Sequence, residues 1–389
     1  MKLIILRNNL ISQSLIAILC ALMIHCNSKK ELTEKKNIQE EHPRYSSITF
    51  TEDLRIDRQN WYPGCLEIDE EGKIYVFEVD YAKIYIYDKD GNELGQKEFK
   101  QGQGPGDINF MDPTFSSDSN LYIFDKKIQR LTIFNKQWKI LDTRELRKEL
   151  GKNFLFFWLD SRNYMYFWTY KTNFIEGKYS PSRILIKLSP TGKFLGEIFE
   201  YRDIGAEYES QHRHENIVPI YLYPPFGTFK VDAKDFVYYA VSDKYEINII
   251  SPQGEFVRKI IKATKPRKVT EKDTAEHISG FKKALSRFGG VKFFIPDRMP
   301  AIADFFVFDN KYILVVTFEN PIDSPTLSGD LFDNDGNFLS EVDVPKYHRY
   351  GDWNGLFKKC AINKKNYFYT IEYKDEDNRI VKRYRMTWN

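Results

Sequence analysis

From Lys73 to Phe115 the chain alternates in a way that predicts short strands. Ile74, Val76, Ile84 and Ile86 interleave with Tyr75, Phe77, Tyr85 and Tyr87. β-Branched and aromatic residues in alternation suit a pleated surface buried on both faces. Asp90-Gly91 breaks the run, and glycine there supplies the positive φ that a tight hairpin needs. Glu93–Phe99 can then return as a further strand. The stretch reads as most of one four-stranded unit, followed by the loop Gln101-Gly-Gln-Gly-Pro-Gly-Asp107 into the next.

The same unit recurs. Tyr75-Val-Phe-Glu78 is echoed by Tyr122-Ile-Phe-Asp125, Tyr166-Phe-Trp-Thr169, Tyr238-Tyr-Ala-Val241, Val316-Thr-Phe-Glu319 and Tyr369-Thr-Ile-Glu372. The first residues of these groups are 75, 122, 166, 238, 316 and 369, so the steps by subtraction are 47, 44, 72, 78 and 53. A second anchor, a glycine turn followed by apolar residues, repeats at Asp90-Gly91, Thr191-Gly192, Gln253-Gly254 and Asp335-Gly336. The second unit carries Gln137-Trp138 at that place, without the glycine. Four-stranded units every 40 to 50 residues predict an all-β, six-bladed β-propeller with antiparallel blades.

The blades are expected at Cys65–Phe99, Pro113–Leu141, Phe154–Phe199, Phe226–Ile261, Ile302–Val342 and Leu356–Trp388. The sixth runs out of chain before an outer strand. Ser47–Ile56 is a strand without a blade, and placing it outside the sixth closes the ring and removes two exposed edges. This register sets Cys65 and Cys360 at matching positions of neighbouring blades, where small buried residues are expected.

Two long steps mark insertions, Tyr201–Pro225 and Ala263–Pro300. Both join the outer strand of one blade to the inner strand of the next, so both emerge on one face and promise a partial lid. The second, between blades 4 and 5, contains the one helical pattern of the domain. Thr270 and Asp273 make a capping-box-like start, and Ile278, Phe281, Leu285 and Phe288 form an apolar stripe over Thr274–Phe288.

The first 45 residues have a different character. Lys2 and Arg7 precede an apolar Leu15–Ile24, too short to span a bilayer as a mature helix. Leu22-Met-Ile-His-Cys26 resembles a lipobox, with Cys26 as the acylated residue; His25 stands where a small residue is usual, and Cys20 is a poorer alternative. An ordinary export signal with an incidental cysteine is the other reading. Asn27–Arg44 is rich in Lys, Glu, Asn and Gln and reads as a flexible tether. The expected organisation is therefore a signal at 1–26, a tether at 27–45 and a propeller at 46–389. The expected address is the outer membrane, because Asn27 and Ser28 are not the acidic residue that commonly retains lipoproteins at the inner membrane.

Composition narrows the picture a little. Aromatics make up 16% of the chain, which favours β packing over helix bundles. Net charge is +3, of which the signal contributes Lys2 and Arg7, so nothing suggests a nucleic-acid partner. Cys65 and Cys360, the only thiols beyond the lipobox region, are no disulfide framework. Gly-x-Ser-x-Gly, His-Glu-x-x-His and Cys-x-x-Cys do not occur.

Strands ending Tyr-x-apolar-acid, a hairpin with Asp-Gly, and Gly102-Gln-Gly-Pro-Gly-Asp107 followed by Pro113 resemble the NHL-type six-bladed propellers. They look most like the uncharacterised propeller lipoproteins of diderm bacteria, within an NHL-like and TolB-like superfamily. The resemblance implies the propeller fold from about Ser47 onward. Of activity it implies only a range, since related propellers include binding scaffolds, lactonases and amidating lyases.

The candidate chemistry has a bland reading beside each sharp one. Gln101–Asp107 lacks the Lys-Ser/Thr of a P-loop and opens no helix, so it reads as a turn between blades. Glu78, Asp125, Glu319 and Glu372, at strand ends facing the lidded side, either ring a Ca²⁺ in the central channel or cap their own turns. His212 and His214 suit one strand face but lack a third ligand, so metal or acid–base work competes with a solvated loop. Tyr221 and Tyr223, with Tyr208, Phe226, Phe293 and Phe294, either stack on a ligand or pack the lid. Two functions follow: an envelope-anchored module binding a protein or glycan partner on its lidded face, or a metal-dependent hydrolase or lyase with its site in the channel.

Overall fold

A computed structural model of the chain describes residues 45–389 except 60, 176–177, 213–217, 285–290, 309–311, 322, 348–360 and 375–377. Cys20, Cys26, His214 and Cys360 lie outside the described residues. Strand β1 (Ile48–Asp57) opens the domain. Blade 1 is β2 (Cys65–Ile68), β3 (Ile74–Glu78), β4 (Lys83–Tyr87) and β5 (Glu93–Glu98). Blade 2 is β6 (Asp112–Phe115), β7 (Leu121–Asp125), β8 (Arg130–Phe134) and β9 (Ile140–Glu145). Blade 3 is β10 (Phe154–Leu159) and β11 (Met165–Lys171), then, after a small hairpin of β12 (Phe174–Ile175) and β13 (Lys178–Tyr179), β14 (Ser182–Leu188) and β15 (Phe194–Arg202). After β16 (Val218–Tyr221), blade 4 is β17 (Gly227–Val231), β18 (Val237–Val241), β19 (Glu246–Ile250) and β20 (Phe256–Ile261). After β21 (Val291–Phe294), blade 5 is β22 (Asp304–Phe308), β23 (Tyr312–Val316), β24 (Thr326–Asp333) and β25 (Phe338–Pro345). Blade 6 is β26 (Ala361–Lys364), β27 (Tyr367–Tyr373) and β28 (Arg379–Trp388), completed by β1.

The ring therefore closes as a six-bladed propeller. β1 pairs antiparallel with β28 from Ile48↔Trp388 to Asp57↔Ile380. Its inward side chains enter the core: Ile48 and Ile56 are buried, and Phe50 meets Phe368 edge-on at 5.4 Å between ring centres.

Antiparallel alternation divides the ring into two faces. Turns between first and second strands, and between third and fourth, share a hairpin face. Turns between second and third strands share the connection face with the segments that join blades.

Three of the anchor tyrosines, Tyr75, Tyr166 and Tyr238, owe their recurrence to the hairpin face. Asp69 Oδ1 accepts the N–H groups of Glu71 and Lys73, and its Oδ2 accepts the Tyr75 hydroxyl at 3.2 Å. Asp160 with Tyr166 and Asp232 with Tyr238 repeat the arrangement at 3.3 and 3.1 Å. An aspartate six residues before the tyrosine thus folds the turn and takes the buried hydroxyl, as a buried polar group requires. In blade 5 the expected anchor was three residues out. β23 spans Tyr312–Val316, so Val316-Thr-Phe-Glu319 straddles its end. That strand reads Tyr-Ile-Leu-Val-Val, with its tyrosine one place ahead of the anchor position and no acid at its end.

Trp138 takes the place of a turn glycine. Its φ is +63°, against +85° at Gly91 and +89° at Gly254. Asn135 Oδ1 holds this turn through the N–H groups of Gln137 and Lys139.

The blade 4–5 insertion is not the only helical one. Helices also form at Leu146–Leu150 and, in the blade 3–4 insertion, at Ile204–His212. Asp203 starts the latter, its Oδ1 accepting the Ala206 N–H at 3.1 Å, a cap that a periodicity search overlooks. The blade 4–5 helix spans Glu271–Ala284 among the described residues, starting earlier than the apolar stripe predicted; Leu285 and Phe288 lie outside the described residues.

Candidate functional site

The two enlarged connections meet on the connection face. β16, from the blade 3–4 insertion, pairs in parallel with β21, from the blade 4–5 insertion, in register from Val218↔Val291 to Tyr221↔Phe294. Leu222 extends the ribbon, its N–H donating to Phe294 O at 2.9 Å. A parallel pair between two loops of adjacent blades makes them one wall.

Charged groups root this wall in the propeller. Arg183 of β14 and Asp203 form an ion pair at 2.5 Å, nearly removed from water. Arg267 binds Asp273 through both terminal nitrogens at 2.7 Å, a bidentate geometry suited to guanidinium and carboxylate. Thr270 completes the cap: its N–H donates to Asp273 Oδ2 at 2.8 Å, and its hydroxyl accepts the Asp273 N–H at 3.4 Å. Burial by itself would raise the Asp273 pKa, but the hydrogen bonds from Arg267 and Thr270 outweigh it and bring it down to about 2.

Tyr221 ends β16, whereas Tyr223 lies two residues beyond it with a φ of +53°, and the two side chains part company. Tyr223 is buried, and its hydroxyl donates to Asp273 O at 2.5 Å, tying the ribbon to the helix. Tyr221 joins Tyr208 and Phe294 in a three-ring cluster, with centroids 5.6, 5.2 and 4.3 Å apart. Phe294 and Ile295 remain 40% and 43% exposed, so this cluster presents apolar surface to solvent. His212 is the last residue of its helix.

The four acids do not converge; three are engaged within or beside their own blades. Glu78 accepts the Tyr62 N–H at 3.1 Å and the Tyr85 hydroxyl at 3.4 Å. Asp125 is fully buried and accepts N–H groups from Asn109, Lys127 and Ile128. Glu372 takes the hydroxyls of Thr370 and Tyr384 and lies 2.8 Å from Lys382 Nζ. Glu319, beyond the end of β23, is exposed. No group of three or more His, Cys, Asp or Glu side chains that could hold a metal ion lies among the described residues.

The glycine loop is a packed turn. Asp107 Oδ2 accepts the Gly104 N–H at 2.8 Å, and a Cβ on Gly102 or Gly104 would press into that carboxylate. Arg130, buried in blade 2, donates to the carbonyls of Gln103 and Asp107, and Asn109 donates to Gly102 O. Its carbonyls, not free N–H groups, are what the loop offers inward, so it is no phosphate cradle.

Near the ring axis, the inner strands bring together Trp158, Lys230 and Asp304. Lys230 Nζ is 3.4 Å from Asp304 Oδ1 and lies over the Phe306 and Trp158 rings at 5.1 and 5.9 Å. Sequence reasoning missed this group, because its members come from three blades and share no motif.

No family model and no curated protein matches the sequence. Solved structures do resemble the fold. A member of the DUF4221 family from Bacteroides vulgatus superposes with a TM-score of 0.52 at 10% identity, covering 89% of this chain and 100% of its own. Virginiamycin B lyase from Staphylococcus aureus gives a TM-score of 0.43 at 9% identity, covering 87% of this chain and 99% of its own. At such identity the first likeness shows the fold alone.

Proposed function

We propose that this protein is an envelope-anchored binding module that takes a protein or glycan partner on the connection face of blades 3 to 5. The observation that carries this reading is the wall. Two neighbouring connections are enlarged and paired as a ribbon, which leaves Phe294 and Ile295 exposed beside the Tyr208–Tyr221 pair. Rigid aromatic surface provides contact area at low entropic cost. Tyr45, the first described residue, packs on Tyr312 and Trp388 at the hairpin face.

Loop replacement is a poor test, since Asp273 and Met299 within Ala263–Pro300 are buried. Phe294→Ala with Ile295→Ser changes two residues that are 40% and 43% exposed, and also removes the Phe294 ring from Tyr208 and Tyr221. This double variant should still unfold cooperatively in a thermal melt and lose glycan-array or envelope-partner binding by about tenfold or more. Unchanged binding would remove the wall from consideration. The anchor has its own test: Cys26→Ala should move the protein from the membrane fraction to the soluble one, and retention in the membrane would refute lipidation there.

A further inference from the structure

The hairpin face carries two clefts at equivalent seams, and they differ greatly in size. Between blades 1 and 2 the cleft holds about 80 Å³ and is lined by Tyr75, Phe115 and Trp138 among others. Between blades 3 and 4 it holds about 370 Å³ and is lined by Tyr164, Tyr166, Lys187, Ile198 and Gly254 among others. The turns that border the two are alike. Trp138 N–H donates to Asn135 O as Gly254 N–H donates to Ser251 O, both at 2.9 Å and both with positive φ. Where the first seam has an indole, the second has no side chain at all. The larger volume is in the range of small-molecule sites.

The open cleft contains a cation whose hydrogen-bonding capacity is not used. The Lys187 side chain is 12% exposed. Its ammonium lies over the Tyr164 and Tyr166 rings at 4.7 and 5.1 Å. Among the described residues its one hydrogen-bond acceptor is Pro252 O, at 3.4 Å. Asp160 Oδ2 is 3.9 Å away and out of hydrogen-bond range. That carboxylate is already engaged: Oδ1 accepts the Arg162 and Tyr164 N–H groups, and Oδ2 accepts the Tyr166 hydroxyl. An ammonium carries three donors, so two are left for something else. Arg162 at the rim is held by Asp235 at 2.9 Å. Glu197, also on the lining, faces Lys152 at 3.7 Å.

Burial lowers the Lys187 pKa and raises that of Asp160, as expected when neither charge is fully compensated. An anion in the cleft would complete the lysine's hydrogen bonds, and a flat apolar body would fill the space that an indole fills two seams away.

We infer that the seam between blades 3 and 4 is a binding site for a small aromatic carboxylate. Lys187 receives the carboxylate, and the aromatic body lies against Tyr164, Tyr166 and Ile198. This site is on the opposite face from the wall and is independent of the function proposed there.

Indole-3-acetate and its neutral amide are suitable probes, titrated into the whole mature chain and followed by ligand-observed NMR. The acid should bind with a Kd on the order of 1 mM or tighter, and the amide about tenfold more weakly. Lys187→Met keeps the stem and removes the charge, and should weaken the acid about tenfold while leaving the amide unchanged. Gly254→Trp copies the plugged seam and should abolish binding of both; a thermal melt reports whether it folds. Equal binding of acid and amide would overturn the anion receptor. Undiminished binding to folded Gly254→Trp, or no saturable binding of the acid at about 10 mM, would overturn the site.

Discussion

The two faces of the ring obey different rules. On the hairpin face, blades 1, 3 and 4 repeat one device: Asp69, Asp160 and Asp232 fold their turns and accept a tyrosine hydroxyl. Exposed apolar residues recur there in step, as Leu94, Leu141, Leu195, Val257 and Phe338 at the starts of outer strands. On the connection face the segments are unequal, and the exposed apolar residues gather on blades 3 to 5 as Tyr170, Phe174, Ile204, Ile261, Phe294 and Ile295, with Tyr62 and Tyr81 in blade 1. Repetition marks what several blades share in order to fold. Departure from repetition marks where this chain has built something particular, including the open seam at Gly254.

The comparison is broken most severely by opening the ring. Deleting Ser47–Ile56 exposes the edge of β28 and removes Ile48 and Ile56 from the core. It should abolish cooperative unfolding, since each buried isoleucine alone is worth about 2–5 kcal/mol. Deleting Asn27–Arg44 should leave the melting curve unchanged. Equal curves for the two deletions would contradict the closure.

Next in size is the repeated turn. Asp232→Ala leaves the Tyr238 hydroxyl and the N–H groups of Lys234 and Phe236 without their acceptor. It should cost about 2–4 kcal/mol in urea unfolding, because buried donors lose their partner. A change below about 0.5 kcal/mol would mean the motif is ornamental.

On the other face, Asp273 gives a pH signature. Its pKa is depressed to about 2, so the stability it contributes is present above the ordinary aspartate value and lost as pH falls from about 4 toward 2. The full shift corresponds to about 2.5 kcal/mol, and solvent screening at the edge of the wall reduces the expected loss to about 1–2 kcal/mol. Asp273→Asn should flatten that part of the acid limb. Asp232, raised by burial, runs the other way: its contribution falls as pH rises from the ordinary value toward the raised one. Parallel acid limbs for wild type and Asp273→Asn would refute the assignment.

The smallest effect is expected where the faces differ least. Trp138→Gly relieves a left-handed backbone worth about 1 kcal/mol and loses ring packing on Phe99 at 6.1 Å. The terms oppose, so the net change should lie within about 1 kcal/mol. The cleft between blades 1 and 2 should enlarge, visible as new solvent at that seam in a crystal structure of the variant.

Residue order alone determined the blade count, the placing of the anchor strands outside blade 5 and closure by Ser47–Ile56. Those features rest on pairing between neighbours in sequence and on the rule that edges must be covered, so alternation and turn residues carry them. The Thr270–Asp273 cap was legible for the same reason. Tertiary structure decided what each candidate side chain does. Glu78, Asp125 and Glu372 are absorbed by turns and adjacent strands, Tyr223 turns inward while Tyr221 joins a surface cluster, and β16 finds β21 across some seventy residues. Lys187 likewise depends on Asp160 being occupied and Gly254 lacking a side chain. Which polar groups are left with capacity to spare depends on packing between blades distant in sequence, and no local pattern encodes it.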